Sequence, residues 1–344
     1  MATSYANVLS VLNGITVEDL VANLPGKQFV HIDHSAISMT DNLIQISRKA
    51  APEARAKLVE LVNRGFSLYR LKDGVSSFVA HERIKDVWGS VKDGTFKTES
   101  GLVYSVTPPG SGTTKKLLVI FSSISSKMYQ SGLARHFEQN FASAVKHIPP
   151  NTAILRIADL GGVCGAFYMD TNFLRTNEIQ LSALLEKVIN ELHIASSDVV
   201  MFGTSKGATA ALFYGVKHDS HFISVDPIVS DEHYIKTYRD AHFTVGVFPF
   251  TKQDKFRSLL EGAPAESQRN RILVYSSRSP QFTYINDIVR CSASGVAFRF
   301  VNCNDVLIKN HPDVASVTRD IWQALLNLSI CGLPYIKKSV EIIR

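Results

Sequence analysis

The sequence predicts a doubly wound α/β domain with a mostly parallel sheet, preceded by a smaller mixed α+β region. Three observations lead there. From Lys116 onward, six short and almost wholly apolar runs alternate with longer amphipathic segments. Strands that are apolar throughout are buried on both faces, as in a parallel sheet covered by helices. Before that point the elements are mixed, and a Pro/Gly/Ser/Thr loop, Pro108 to Thr114, separates the two textures. Finally, 344 residues with 45% apolar and 20% charged side chains supply material for one large domain and an added segment. The expected division is 1–110 for the mixed region and 111–344 for the α/β domain.

In the first region, Thr16 and Asp19 resemble a capping box ahead of a short helix, VEDLVANL. KQFVHID reads as a strand. PEARAKLVELVN has proline in its first turn and apolar residues at helical spacing. FSLYRLKDGVSSFVAH is two strand-like runs around Asp73-Gly74, a hairpin signal. In the second region the strands are KLLVIFSS, AILRIAD, DVVMFG, FISVD, RILVYSS and VAFRFVN. Helices are expected near 130–147, 177–193, 206–217, 231–240, 281–293 and 312–328, one after each strand.

The net charge of +6 and pI of about 9 tilt the surface toward anionic partners. Lys and Arg are scattered, with no basic stripe and no nucleic-acid-binding signature, so nucleic acid is not expected. Cys164, Cys291, Cys303 and Cys331 stand far apart without a C-x-x-C pair. They suggest buried thiols in a reducing compartment. No apolar run approaches the roughly 18 residues of a membrane span. MATSYANVLSVLNG lacks the basic and apolar blocks of a signal peptide, so a cytoplasmic setting is expected, with the inner membrane face as a variant. His31, Asp33 and His34 have the look of a metal triplet but no third cluster beside them, and no metal site is expected.

The chemistry centres on Gly203-Thr204-Ser205-Lys206-Gly207, a G-x-S-x-G sequence between an apolar strand and an alanine-rich helix. That is the context of a nucleophile elbow, where a serine occupies a strained strand-to-helix turn. Small flanking residues are needed there because any side chain would strike the neighbouring backbone. A base is expected in the loop after the last strand, and CNDVLIKNHPDV contains one histidine, His311. The acid usually follows the penultimate strand, but RILVYSS continues RSPQF, with Ser279 at the expected place. Asp226, ending FISVD at the carboxyl edge of the sheet, is favoured over Asp287, Asp305 and Asp313. Its other reading is a helix N-terminal carboxylate. Backbone N–H groups of Lys206, Ser123 and Ile124 are the expected oxyanion donors. Arg156 and Asp159, near the end of LRIAD, are candidates for substrate contact, Asp159 also for tying down a loop. The Lys206 side chain is expected in solvent or against an anionic substrate. His218, His221, His233 and His242 are expected on solvated faces.

VIFSS, LRIAD, FGTSKGATAAL and ISVDPI together resemble a bacterial group of α/β-hydrolase-like proteins, most of all the XcbB/CpsF family of capsular polysaccharide biosynthesis proteins. The chain is similar also to the acyltransferase-like accessory component of the secretion system for serine-rich glycoproteins. The resemblance spans roughly residues 65 to 330 and rests mainly on G-T-S-K-G and S-V-D-P-I. It implies an α/β-hydrolase-like fold with Ser205 as nucleophile, His311 as base, and Asp226 or a later carboxylate as acid. The implied activity is O-acetylation of a capsular or surface polysaccharide or its precursor, with acetyl-CoA as donor and no tightly bound cofactor. Partners would be an anionic glycan and capsule-assembly proteins. An esterase of the same fold and a non-catalytic assembly factor are the competing readings.

Overall fold

The computed structural model of the chain describes residues 3–4, 7–12, 14–49, 51–291 and 297–344. Its strands form two sheets. The smaller contains β1 (Thr3–Ser4), β2 (Val8–Leu12), β3 (Phe29–Asp33), β4 (Phe66–Lys72) and β5 (Val75–Ala80), in the order β1-β2-β3-β5-β4. β2 and β3 run parallel, while β4 and β5 form the antiparallel hairpin expected around Asp73-Gly74. Helices Val17–Asn23, Leu43–Arg48, Pro52–Asn63, Ile84–Val87 and Gly89–Lys92 lie in the same region. Of the expected capping box, the Thr16 hydroxyl accepts from the Asp19 amide at 3.1 Å.

The larger sheet contains β6 (Lys97–Glu99), β7 (Leu102–Thr107), β8 (Lys116–Phe121), β9 (Thr152–Ile157), β10 (Val199–Thr204), β11 (His221–Val225), β12 (Arg271–Tyr275), β13 (Arg299–Asn304) and β14 (Ser339–Ile343). Its order is β14-β13-β12-β11-β10-β8-β9-β7-β6, with β8 through β14 mutually parallel and β7 and β6 antiparallel at one edge. Together the two sheets make an α/β-hydrolase-like architecture with a smaller mixed α+β region. Alternate residues of one strand serve two cores. Leu117, Val119 and Phe121 pack with Leu181 and Leu184 of helix Asn177–Glu191, while Leu118 and Ile120 pack with Trp322 and Leu326 on the other face. This two-sided burial is why the strands read as continuous apolar runs. Strand order reverses between β8 and β10, and in open sheets the crevice at such a switch point receives ligands.

Several local expectations differ from the structure. No α-helix spans 130–147; that segment holds two short 3-10 turns, Leu133–His136 and Ala144–Lys146. Gly132 (φ 115°) interrupts it, and Arg135 donates to the Leu68 and Val163 carbonyls, drawing the backbone into tertiary contacts instead of a helical ladder. Helix 312–328 is two helices, His311–Val317 and Arg319–Ile330. Within the 281–293 expectation, Phe282–Tyr284 passes into a π-helix, Ile285–Arg290; residues 292–293, and Val296 of the following strand, lie outside the described residues. Helix Lys252–Glu261 and strand β14 were not anticipated, and β6 and β7 join the large sheet from before the Pro108–Thr114 loop. Cys164 and Cys303 are buried, but Cys291 and Cys331 are exposed. Among the described residues no helix is long and apolar enough to cross a membrane.

Candidate active site

β10 runs straight into helix Lys206–Lys217, and Ser205 takes the whole turn with φ 55° and ψ −121°. Such a conformation costs an L-residue about 1–3 kcal/mol and persists only where the surroundings enforce it. The enforcement is visible. The Ser205 amide extends the ladder to the Val225 carbonyl at 2.9 Å, and its carbonyl already accepts from Thr209 at 3.1 Å. A Cβ on Gly203 would stand 2.1 Å from the Gly207 backbone, and one on Gly207 would stand 2.3 Å from the Phe121 carbonyl oxygen. Both glycines are therefore required by close approach.

The next strand ends in the same manner. Asp226, φ 52°, follows β11 directly, and its amide donates to the Val274 carbonyl at 2.8 Å. His311 opens the helix beyond β13, with Asp313 accepting from the Asn310 amide at 2.8 Å to fix the helix start. These three side chains meet. His311 Nε2 lies 2.7 Å from Ser205 Oγ, and His311 Nδ1 lies 2.7 Å from Asp226 Oδ2. Ser279, standing where the usual carboxylate was sought, donates its hydroxyl to the same Asp226 Oδ2 at 2.6 Å. The other candidate acids do not reach His311. Asp305 accepts from the Leu307 amide at 2.8 Å, Asp313 caps the helix, and Asp287 lies in the π-helix.

Above Ser205 is a cavity of about 630 Å³ lined by Ile124, Met128, Tyr129, Tyr234, Tyr238 and His242 among others. The Ile124 and Lys206 amides have no protein acceptor among the described residues. Ser123 is a correction, because its amide donates to Asn140 Oδ1 at 2.6 Å and is not free for an oxyanion. The roof comes from the β11–β12 connection and is gripped by the N-terminal region. Arg48 donates to the Tyr238 and Arg239 carbonyls at 2.7 and 2.8 Å, and Arg55 pairs with Asp240.

Lys206 and Asp159 also depart from expectation. The Lys206 ammonium is fully buried and paired with Asp159 Oδ2 at 2.8 Å, turned away from solvent and outside the lining of the Ser205 cavity. Asp159 further accepts from the amides of Ala166, Phe167 and Tyr168 at 3.0, 2.9 and 3.0 Å, which makes it a loop anchor rather than a substrate contact. Arg156 lines a different cavity from the one holding Ser205. Of the histidines expected in solvent, His221 and His242 are buried and His233 is half-buried at the cavity wall. Burial, with Lys252 nearby, holds the His242 imidazole well below the usual histidine range, and its Nδ1 has no partner among the described residues. Nothing in the local sequence marks His242, since its placement depends on the roof. His31 and His34 bond Ser77 and Ser76, and among the described residues no group of three His, Cys, Asp or Glu side chains could hold a metal ion.

The sequence matches no family model and no curated protein. Solved structures resemble it in fold. The glycosylation associate protein (Gap123) complex from Streptococcus agalactiae has a TM-score of 0.50 at 14% identity, over 74% of this chain and 50% of that one. The chain therefore spans about half of that structure's length. The capsule O-acetyltransferase of Neisseria meningitidis serogroup A has a TM-score of 0.48 at 13% identity, over 67% of this chain and 93% of that one. A ferulic acid esterase has 0.44 at 11%, over 69% and 96%. At such identities the likeness concerns the fold alone.

Proposed function

We propose that this chain is a serine-nucleophile acyltransferase that O-acetylates a capsular or surface polysaccharide or its precursor. The observation that carries the reading is the hydrogen-bonded series Ser205 Oγ, His311 Nε2, His311 Nδ1, Asp226 Oδ2 beneath a cavity able to hold a substrate. In this reading Ser205 Oγ attacks the thioester carbonyl of an acyl donor such as acetyl-CoA while its proton passes to His311 Nε2. The Ile124 and Lys206 amides meet the developing oxyanion. Collapse returns the proton to the departing thiolate and leaves an acyl-serine. A sugar hydroxyl then attacks that ester, giving its proton to His311, and Ser205 recovers a proton as it leaves. Asp226 holds the Nδ1–H tautomer throughout, and Ser279 steadies Asp226. Residues 111–344 carry this chemistry and residues 1–110 brace the roof, in a cytoplasmic setting where acyl-CoA is at hand. The acceptor class rests on the resemblance of the G-T-S-K-G and S-V-D-P-I segments.

Labelling with a fluorophosphonate probe tests the nucleophile. Wild type should label and Ser205→Ala should not; absence of labelling in both favours the non-catalytic assembly reading. NMR of a purified anionic glycan incubated with protein and acetyl-CoA separates the remaining two activities. New acetyl signals support transfer, whereas loss of existing ones makes the protein an esterase.

A further inference from the structure

A second cavity, of about 670 Å³, lies on the other side of Ser125 and Ser126, which line both it and the Ser205 cavity. Arg156 lines it from the middle of the sheet, with only 5% of its surface exposed. A buried guanidinium ordinarily has a carboxylate partner, because desolvating the charge alone is costly. Arg156 has none within ion-pair distance among the described residues. Its Nη2 donates to the Phe141 carbonyl at 3.1 Å, and its Nε has no acceptor among the described residues. Burial lowers its pKa from the usual guanidinium value. Lys127 stands on the same lining, and the one carboxylate there, Glu138, makes no ion pair with either cation. Beside them Phe96 and Phe137 form a tilted aromatic pair, ring centroids 4.6 Å apart, backed by Trp88 at 5.5 Å from Phe96.

We propose that this cavity is a subsite for a phosphate group carried next to a ring. Arg156 receives the phosphate oxygens through its free donors, as guanidinium geometry favours, and Phe96 with Phe137 supports the ring. The inference rests on the acyl-transfer reading only for its purpose, which is to hold the remote end of a substrate whose reacting group lies at Ser205. Two sources share this chemistry, the nucleotide end of an acyl-CoA donor and a phosphorylated sugar of the acceptor.

Calorimetric titration of the whole chain with adenosine 3′,5′-diphosphate and with N-acetylglucosamine 1-phosphate distinguishes them, with adenosine and N-acetylglucosamine as phosphate-free controls. At least one phosphate compound should bind ten-fold or more tightly than its control. Arg156→Met should weaken that binding at least ten-fold, Arg156→Lys less, and the exposed Lys127→Glu several-fold. Preference for the nucleotide assigns the donor and preference for the sugar phosphate the acceptor, while equal binding leaves phosphate itself as the recognised group. Binding of neither, equal binding of the controls, or unchanged affinity in a folded Arg156→Met overturns the proposal. Should Arg156→Met not fold, the wild-type comparison and Lys127→Glu decide. No turnover is involved, so this test can fail while Ser205 still labels, and the reverse.

Discussion

Two buried aspartates flank the elbow, and they are satisfied in opposite ways. Asp159, beyond β9, accepts three backbone amides and pairs with Lys206, so each of its oxygens is occupied. Asp226, beyond β11, concentrates both of its bonds, to Ser279 and His311, on Oδ2, and its buried Oδ1 has no partner among the described residues. A carboxylate saturated by main-chain donors locks a loop, whereas one left under-satisfied retains electrostatic pull for the group it faces. The difference teaches that burial and charge alone do not tell a loop-anchoring carboxylate from one joined to a histidine. What separates the two is where the partners come from: fixed backbone for Asp159, a histidine that itself touches Ser205 for Asp226.

The largest effect that would sharpen this contrast is at the residue both aspartates surround. Ser205→Ala should abolish turnover of p-nitrophenyl acetate, a loss of about 10⁴-fold or more, with little change in a urea melt. Asp226→Asn comes next, with kcat lower by about 10³- to 10⁴-fold because the wrong histidine tautomer is favoured, and near-normal stability. Asp159→Asn should do the converse. It leaves the Lys206 ammonium buried without its counter-charge, which costs about 3–5 kcal/mol of unfolding free energy in the same melt. Loss of turnover without loss of stability in Asp159→Asn would break the comparison. Ser279→Ala should be milder, lowering kcat/KM about ten-fold, equivalent to about 1.4 kcal/mol, since His311 still holds Asp226.

The smallest effect is a pH dependence away from either aspartate. His221 Nδ1 accepts from the Asn270 amide at 2.8 Å, which requires an unprotonated nitrogen. Burial, with Arg269 and Lys116 nearby, lowers its pKa to about 4, below the unfolded value of about 6.5. The unfolded chain therefore takes up the proton first. This contribution to stability is complete above pH 6.5 and declines as pH falls toward 4. Urea midpoints measured across that range should fall less steeply in His221→Gln than in wild type.

Much of this was readable in one dimension. The apolar runs that became β8 to β13 are continuous because both faces of the sheet are covered, and that requirement acts on every residue of the run. The elbow was equally legible, since two glycines four positions apart are dictated by backbone approaches of 2.1 and 2.3 Å. Segment 130–147 was not, because its helical spacing yields to Gly132 and to Arg135 bonding carbonyls far along the chain. The edge strands β6 and β14 were hidden for a related reason: exposed edges carry mixed residues that resemble loops.

The sequence by itself determined the layered parallel sheet, the strained turn at Ser205, and the chain order in which a serine, an aspartate and a histidine follow one another. These depend on local periodicity, on small residues at fixed spacing, and on the order of strands. Only the tertiary structure decided that Asp226 and not another acid stands 2.7 Å from His311, and that the Lys206 ammonium turns inward to Asp159. It also decided that Ser123 spends its amide on Asn140, and that Arg156 lines a second cavity with no carboxylate partner among the described residues. Each of those outcomes depends on which strand ends lie side by side after folding, because hydrogen bonds and ion pairs act over a few ångströms of space whatever the separation along the chain.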